Sequence, residues 1–432
     1  MKIVADLQIH SKYSRATSAK MELESLSAYA KLKGIQVIGT GDFTHPDWFN
    51  ELKNKLVPAE SGLFVYKNDP DFGSEKATRF MLTAETSHIY SKTGKTRRVH
   101  ILIWAPSLEA VEKINTRLSW VGNLKSDGRP IIGMDSKELA KIVLESNPDC
   151  MVIPAHAWTP WFSVFGSMSG FDSLEQCFEE LTPQIYAIET GLSSDSAMNW
   201  RLSQLDKVAL VSNSDSHSLV RIGREANVFE LEGLSYQNII KAVKNSSPAK
   251  LLSGQGDPKA KLAYTIEFYP EEGKYHYDGH RDCGISFAPS QTKEHQGLCP
   301  KCGKPLTIGV LSRVEQLADR PEGYQPEKFV PFKNLVPLDE LIAESLGLVT
   351  KGKQVYALYN QLCQQFGGEV NILTDLEIEE IKSIGQPILA EAIKRVREDK
   401  VIKKAGYDGE YGKISVFEES EREDLKTQKS LF

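Results

Sequence analysis

The 432-residue chain reads as an α/β protein: a largely parallel, barrel-like main domain, then a small metal-binding module and a helical C-terminal region. Three observations lead there. Up to about residue 255, apolar runs such as IQVIGT and DCMVIP alternate with amphipathic stretches (LESLSAYAKLKG, SLEAVEKINTRL, SKELAKIVLES, SYQNIIKAVKNS), the alternation expected of a parallel sheet. Six strand-like segments then run into His, Asp or Glu: DLQIHS (6–11), GTGDFTHP (39–46), ETSHIY (85–90), RVHILIW (98–104), VIPAHAW (152–158) and LVSNSDSHS (210–218). Ligand-type side chains at the C-terminal ends of strands are what a βα barrel builds its active site from. Beyond the Gly/Pro-punctuated SGQGDPKAK (253–261), a cysteine-bearing block gives way at Pro326 to helical patterns ending in Gly or Pro. The boundaries read as 1–255, 256–325 and 326–415, with a charged tail at 416–432.

Composition narrows the class. With 41% hydrophobic and 25% charged residues the chain is that of a globular protein, and no window has the apolar length of a membrane span. A cytoplasmic enzyme that needs no membrane is the expectation. Six cysteines in so long a chain do not form a disulfide framework. The net charge of −6 does not mark a nucleic-acid binder, but binding depends on local patches. Two basic clusters exist: Lys92, Lys95, Arg97 and Arg98, then Lys394, Arg395, Arg397, Lys400, Lys403 and Lys404.

The ligand-type residues fall into pairs and singles. Gln8 and His10 are two apart on a strand and share a face, a spacing that Asp215 and His217 repeat. Glu85 offers two oxygens and is suited to bridge two ions, while His100 and His156 end apolar strands singly. Imidazole nitrogen with carboxylate oxygen suits zinc, manganese or iron. Such a centre supports phosphate-ester hydrolysis, and Lys12, Arg15, Arg221 and Arg224 are candidates to hold the phosphate.

In the second block, His280-x2-Cys283 and Cys299-x2-Cys302 carry the donor set of one structural zinc, with His276 and His295 competing for the histidine position. Cys150, Cys177 and Cys363 sit in apolar contexts and read as core. After His156, Trp161, Phe165 and Phe171 are interleaved with Gly166, Ser167 and Gly170. Such a loop reads equally as a pocket where aromatic faces stack on a base and as an apolar loop packed over the barrel mouth.

The ligand segments resemble those of the polymerase and histidinol phosphatase (PHP) superfamily, whose fold is a distorted (β/α)7 barrel. The resemblance implies one ion held by His10, Glu85 and Asp215 with Gln8, a second by Glu85, His100 and His156, and a third by His217 with Asp42 and His45. Gln8 departs from the superfamily's H-x-H motif, and its amide oxygen is a weaker zinc ligand than imidazole.

Over nearly its whole length the chain resembles the endonuclease Q family. The likeness rests on DLQIHSKYSRATS, GTGDFTHPDWF, PWFSVFGSMSGFDS, NSDSHSLVRIGREANVF, the YHYDGH to CPKCG module, LTIGVLSRVEQLADRP and QPILAEAIKRV. It implies incision of DNA 5′ of a deaminated base (uracil, hypoxanthine or xanthine) or an abasic site. Two or three divalent ions (zinc, manganese or magnesium) would serve, with His10, Glu85, His156, Asp215 and His217 catalytic. The helical domain would grip the duplex. The terminal Gln428-Lys429-Ser430-Leu431-Phe432 looks like a sliding-clamp-binding peptide, through Gln428, Leu431 and Phe432. Two other readings fit parts of the pattern: a PHP-type small-molecule phosphatase, and a DNA-binding protein whose metal site is weakened by Gln8.

Overall fold

Residues 1–418, 420 and 421 are described by a computed structural model; Gln428, Leu431 and Phe432 lie outside them. Strand β1 (Lys2–Asp6) pairs in parallel with β2 (Val37–Gly39), and β2 with β3 (Arg79–Lys92). Strand β4 (Lys95–Ala105) folds back on β3 as a long antiparallel hairpin, and β5 (Met151–Pro154) lies antiparallel to β4. The short β6 (Ala187–Glu189) and β7 (Ala209–Val211) run parallel to each other. Beyond β7 the chain returns to the end of β1, where Ser216 and Ile9 form a parallel bridge. The ends of β1 and β7 are thereby held side by side.

The helices between these strands lie where the amphipathic patterns place them. Leu23–Lys33 closes on Gly34 at φ 80°, a left-handed cap that glycine adopts at no steric cost. Leu108–Ser119, Ser136–Ser146 and Tyr236–Lys244 start from Ser107, Asp135 and Ser235, whose side chains accept first-turn N–H groups.

The sheet is less parallel than expected. Besides β4, strands β8 (Ala226–Leu231) and β9 (Ala260–Glu267) are antiparallel, β8 to β1 and β9 to β8. Strand β9 also moves the first boundary. It lies beyond the expected break at 255–256 yet belongs to the main sheet, and Phe332–Asn334 pairs in parallel with it. The cysteine module is therefore an insertion between two strands of that sheet. A β-branched and apolar run with one face on the sheet, AKLAYTIE, outweighs the Gly/Pro punctuation before it.

Among the described residues the C-terminal region has five helices, Leu338–Leu346, Lys353–Gln365, Glu369–Thr374, Ile378–Ser383 and Pro387–Arg397. The basic stretch 394–404 is not one free face. Arg397 donates to the carbonyls of Ile372, Leu373 and Leu376, which helix ends leave without partners. Arg395 pairs with Glu391 and Glu421, Lys400 with Glu398, and Lys403 with Asp399. The chain then forms a hairpin, Ile402–Lys404 with Lys413–Ser415, and returns to the module: Tyr407 bridges Tyr277 and Asp408 accepts from Arg281 and Thr307. Among the described residues no helix is long and apolar enough to cross a membrane.

One buried ion pair joins the helical region to the main domain. Lys33 donates to Glu369, which also accepts from the Tyr359 hydroxyl (2.6 Å) and the Leu338 N–H (2.9 Å). Removing the acceptor leaves a buried ammonium and two further donors unmatched. Glu369→Ala should therefore cost about 3–5 kcal/mol, the usual penalty for halving a buried pair. It would register as a lower midpoint in chemical denaturation, and an unchanged midpoint would show that the pair does not hold the two parts together.

Candidate metal centre

Seven ligand-type side chains converge, from within β3 and β4 and from the chain just beyond β1, β5 and β7. Strand β1 carries Gln8 and His10 on its continuation, β3 carries Glu85, and β4 carries His100. His156 follows β5, and Asp215 and His217 follow β7. They divide into two groups of potential ligands, His10–Asp215–His217 and Glu85–His100–His156. Glu85 touches both groups. One of its oxygens lies 2.9 Å from His10 Nε2; the other lies 2.6 Å from His100 Nδ1 and 3.1 Å from His156 Nε2.

These spacings fit a cation. His100 Nδ1 and His156 Nε2 face each other at 3.1 Å, and donors about 2.0–2.1 Å from one tetrahedral ion lie roughly 3.3 Å apart. His10 Nε2 is within 3.0 Å of carboxylate oxygens from both Glu85 and Asp215. Both amide atoms of Gln8 are buried with no hydrogen-bond partner among the described residues. A stranded amide costs about 1–3 kcal/mol, and an oxygen–cation contact would offset that.

Charge is arranged to match. Burial pushes the Glu85 carboxyl up, but Arg129, His100 and His10 outweigh it and hold Glu85 well below the usual range. Asp215 is likewise held low, its hydrogen bond to His10 overcoming burial. Burial pushes His100 down to about 4, leaving at neutral pH the neutral imidazole that a metal takes. His217 directs Nδ1 at the Asp215 carbonyl, 2.9 Å away, so its proton sits there and Nε2 is the free ligand atom.

Three site residues adopt left-handed backbone: Asp42 (φ 49°), His156 (φ 30°) and Asp215 (φ 47°). Non-glycine residues there cost of order 1–3 kcal/mol and persist only when neighbours over-determine them. Here Glu189 takes the His156 N–H (2.8 Å) and the Asn213 amide (2.8 Å). Asp6 takes the N–H groups of Ser214 and Gly223. Both acids are buried, and burial pushes Glu189 up to about 8.

Several expected residues are placed differently. Asp42, expected beside His217, lies behind His10: its oxygens take His10 Nδ1 (3.0 Å), the Ser11 N–H and hydroxyl, and the Ser14 hydroxyl. With so many donors it orients His10. His45 stacks on Tyr13 at 4.4 Å. Of the phosphate candidates, Lys12 pairs with Glu22 and Glu51, Arg221 with Glu340, and Arg224 donates twice to the Ser214 carbonyl. Arg15 is largely exposed and pairs with Asp127. The guanidinium that does reach the ligands, Arg129 with Nη1 3.2 Å from Glu85, belongs to none of the segments read from sequence.

The loop after His156 also differs from the stacking platform expected. Phe165 and Phe171 are core residues, and Gly166 and Gly170 are buried where a Cβ would strike backbone within 2.5 Å. Trp161 and Ser167 stay partly exposed, against Tyr275 (ring centroids 5.6 Å) and Ile308 of the module. Arg313 of the helix Val310–Leu317 fastens the loop, donating to the carbonyls of Phe165 and Phe171. In the module, His280, Cys283, Cys299 and Cys302 form one tetrad. The competitors lie elsewhere: His276 is buried beside Tyr277, and His295 stacks on Phe287 at 4.8 Å. Gly303 (φ 70°) turns the knuckle so that its N–H returns to the Cys299 carbonyl.

Histidines and carboxylates gathered in this way define a divalent-metal centre of the hydrolytic kind. Residues 337–400 match the family described as the MJ0043 C-terminal domain. The chain is 34% identical over 268 residues to the uncharacterized protein MJ0043 of Methanocaldococcus jannaschii, covering 60% of this chain but only 31% of that protein. It is 28% identical over 427 residues to the uncharacterized protein YqxK of Bacillus subtilis, covering 96% and 99% of the two chains. The lesion-specific endonuclease PfuEndoQ of Pyrococcus furiosus superposes with a TM-score of 0.83 at 32% identity, over 99% of both chains. An endonuclease Q complex with a 27-mer duplex carrying an abasic lesion at the active site matches at 0.81 and 32%, over 97% of this chain and 98% of that one. The chain belongs to the endonuclease Q family.

Because the two oxygens of Glu85 reach both groups, its loss should cost more metal than the loss of His100 or His217. Glu85→Gln is expected to retain less divalent metal per chain than either His100→Ala or His217→Ala, measured by elemental analysis. Equal retention in all three would contradict a bridging role.

Proposed function

We propose that this protein is a lesion-specific DNA endonuclease that hydrolyses the phosphodiester 5′ of a deaminated base or abasic site. The observation that carries the reading is Glu85 shared between two histidine-containing groups, in a chain that aligns end to end with a lesion-specific endonuclease. The parallel bridge Ile9–Ser216, beyond the ends of β1 and β7, supports a distorted (β/α)7-type barrel as the frame. Divalent ions held by His10, Glu85, His100, His156, Asp215 and His217, with Gln8 as a further oxygen donor, would supply a nucleophilic hydroxide at neutral pH and polarise the phosphoryl oxygens.

The chain's own residues do the rest. Asp42 fixes the His10 ring, and Glu189 and Asp6 hold the backbone turns that present His156 and Asp215. Preorganised ligands need no rearrangement as charge develops, which is where electrostatic catalysis gains most. Partly exposed Trp161 and Ser167, with exposed Met168, line the edge between barrel and module where an extruded nucleotide would lie. Extrusion costs a few kcal/mol and least at damaged positions. The His280–Cys283–Cys299–Cys302 tetrad is a structural zinc site on its donor chemistry, and it steadies the module whose Arg313 fastens the loop. Duplex DNA is the partner, in the cytoplasm, and the terminal Gln428–Phe432 peptide would join a sliding clamp.

The test is cleavage of end-labelled duplexes bearing one uracil, hypoxanthine or abasic site, with Mg²⁺, Mn²⁺ or Zn²⁺. A chelator-sensitive cut immediately 5′ of the lesion is expected. Asp215→Asn should slow it by about 10³-fold or more, the scale of losing a key transition-state stabiliser, while lesion-DNA binding persists. Equal loss of binding and cleavage would contradict the role given to Asp215. Cleavage of small phosphate esters without any cut in DNA would point instead to a phosphatase.

A further inference from the structure

Arg129 is a cation in the midst of the candidate ligands, and the loop that carries it is built to deliver it there. Asp127 accepts the N–H of Arg129 at 3.1 Å, folding the turn. Gly128 donates to the Tyr13 carbonyl and lies so close to the centre that a Cβ would sit 2.4 Å from Asp42 and 2.3 Å from Ser14. No other residue lets this backbone approach so closely. Pro130 and Ile131 then tie the loop to β3, through the Ser87 N–H on the Pro130 carbonyl and the pairing of Ile131 with Ser87. Ile131 is thereby level with Ser87, two residues along β3 from Glu85, and Arg129, two residues before Ile131, reaches Glu85 itself.

The guanidinium is only partly engaged. Among the described residues its hydrogen bond is the one to Glu85, 3.2 Å from Nη1, out of the five N–H donors an arginine carries. Its side chain is 29% exposed, and none of its remaining donors is buried without a partner, so they have access to solvent. Of the other basic candidates, Lys12, Arg221 and Arg224 are tied to Glu51, Glu340 and the Ser214 carbonyl, and the largely exposed Arg15 pairs with Asp127. A structural partner for Glu85 alone would need neither the exposed donors nor the close approach at Gly128.

We propose that Arg129 is a ligand of the scissile phosphate, donating hydrogen bonds to a non-bridging phosphoryl oxygen beside Glu85. A planar fork of donors matches phosphate geometry in a way that a lysine ammonium does not. Its contribution grows as negative charge builds on those oxygens during attack, so it favours the transition state over the bound substrate. Arg129 transfers no proton; it holds and stabilises. This assignment rests on the nuclease reading above.

The test uses full-length protein in single-turnover cleavage of a duplex with one lesion, alongside metal content and DNA affinity. Arg129→Met should cleave about 10²–10³-fold more slowly, as when one transition-state donor is removed, with metal content unchanged. Arg129→Lys should recover only part of the rate. Free guanidinium ion should accelerate Arg129→Ala and leave the wild type unaffected, which a purely structural arginine would not produce. Wild-type cleavage by Arg129→Met would overturn the assignment. So would loss of metal together with rate and no response to guanidinium, because Arg129 would then only be holding Glu85. If the wild type itself cuts no lesion duplex, the nuclease reading falls and this assignment with it.

Discussion

The two oxygens of Glu85 tie the centre together. One meets His10 and the other meets His100 and His156, so a single carboxylate fixes the distance between two groups that come from different parts of the sheet. Its own position is set by β3 and β4, paired without interruption from Leu82–Ala105 to Lys92–Lys95. Burial of such a group is unfavourable by itself, and the histidines and Arg129 are what keep it ionised. Fold and chemistry therefore depend on each other here: the hairpin places the carboxylate, and the cationic surroundings permit it to be there.

Around that bridge the protein accepts local strain. His156 and Asp215 sit at positive φ, and the buried acids Glu189 and Asp6 hold those turns through backbone N–H groups. The same economy appears farther out. Arg313 fastens the loop after His156 from within the cysteine module, and the hairpin after the last helix bonds back to that module. The module thus acts as a clasp between loop and helical region.

Much of this was legible in the chain. The strand-end rule singled out His10, Glu85, His100, His156, Asp215 and His217, which the fold brings together although Glu85 and His100 lie inside long strands, and the Cys-x2-Cys spacing singled out cysteines that fall in one cluster. The same rule misplaced Asp42: sequence shows that a carboxylate stands at a strand end, not that Ser11, Ser14 and His10 will consume its oxygens. Arg129 escaped notice because it precedes its two-residue apolar strand, Ile131–Ile132, instead of following one, and its partner is 44 residues away in sequence. The aromatic–glycine pattern at 161–171 was ambiguous in principle, since a base-stacking platform and a tightly folded core loop use the same residue types. Likewise, a run of Lys and Arg does not reveal that Arg397 closes a helix end. Antiparallel β4 was illegible because periodicity reports a strand without its direction.

The most direct measurement is anomalous diffraction from crystals of the wild-type protein loaded with Mn²⁺. Two anomalous peaks on either side of Glu85, about 3.5–4 Å apart as in two-metal hydrolytic sites, are the result this account requires. A single peak, or peaks that leave Glu85 uncoordinated, would contradict it.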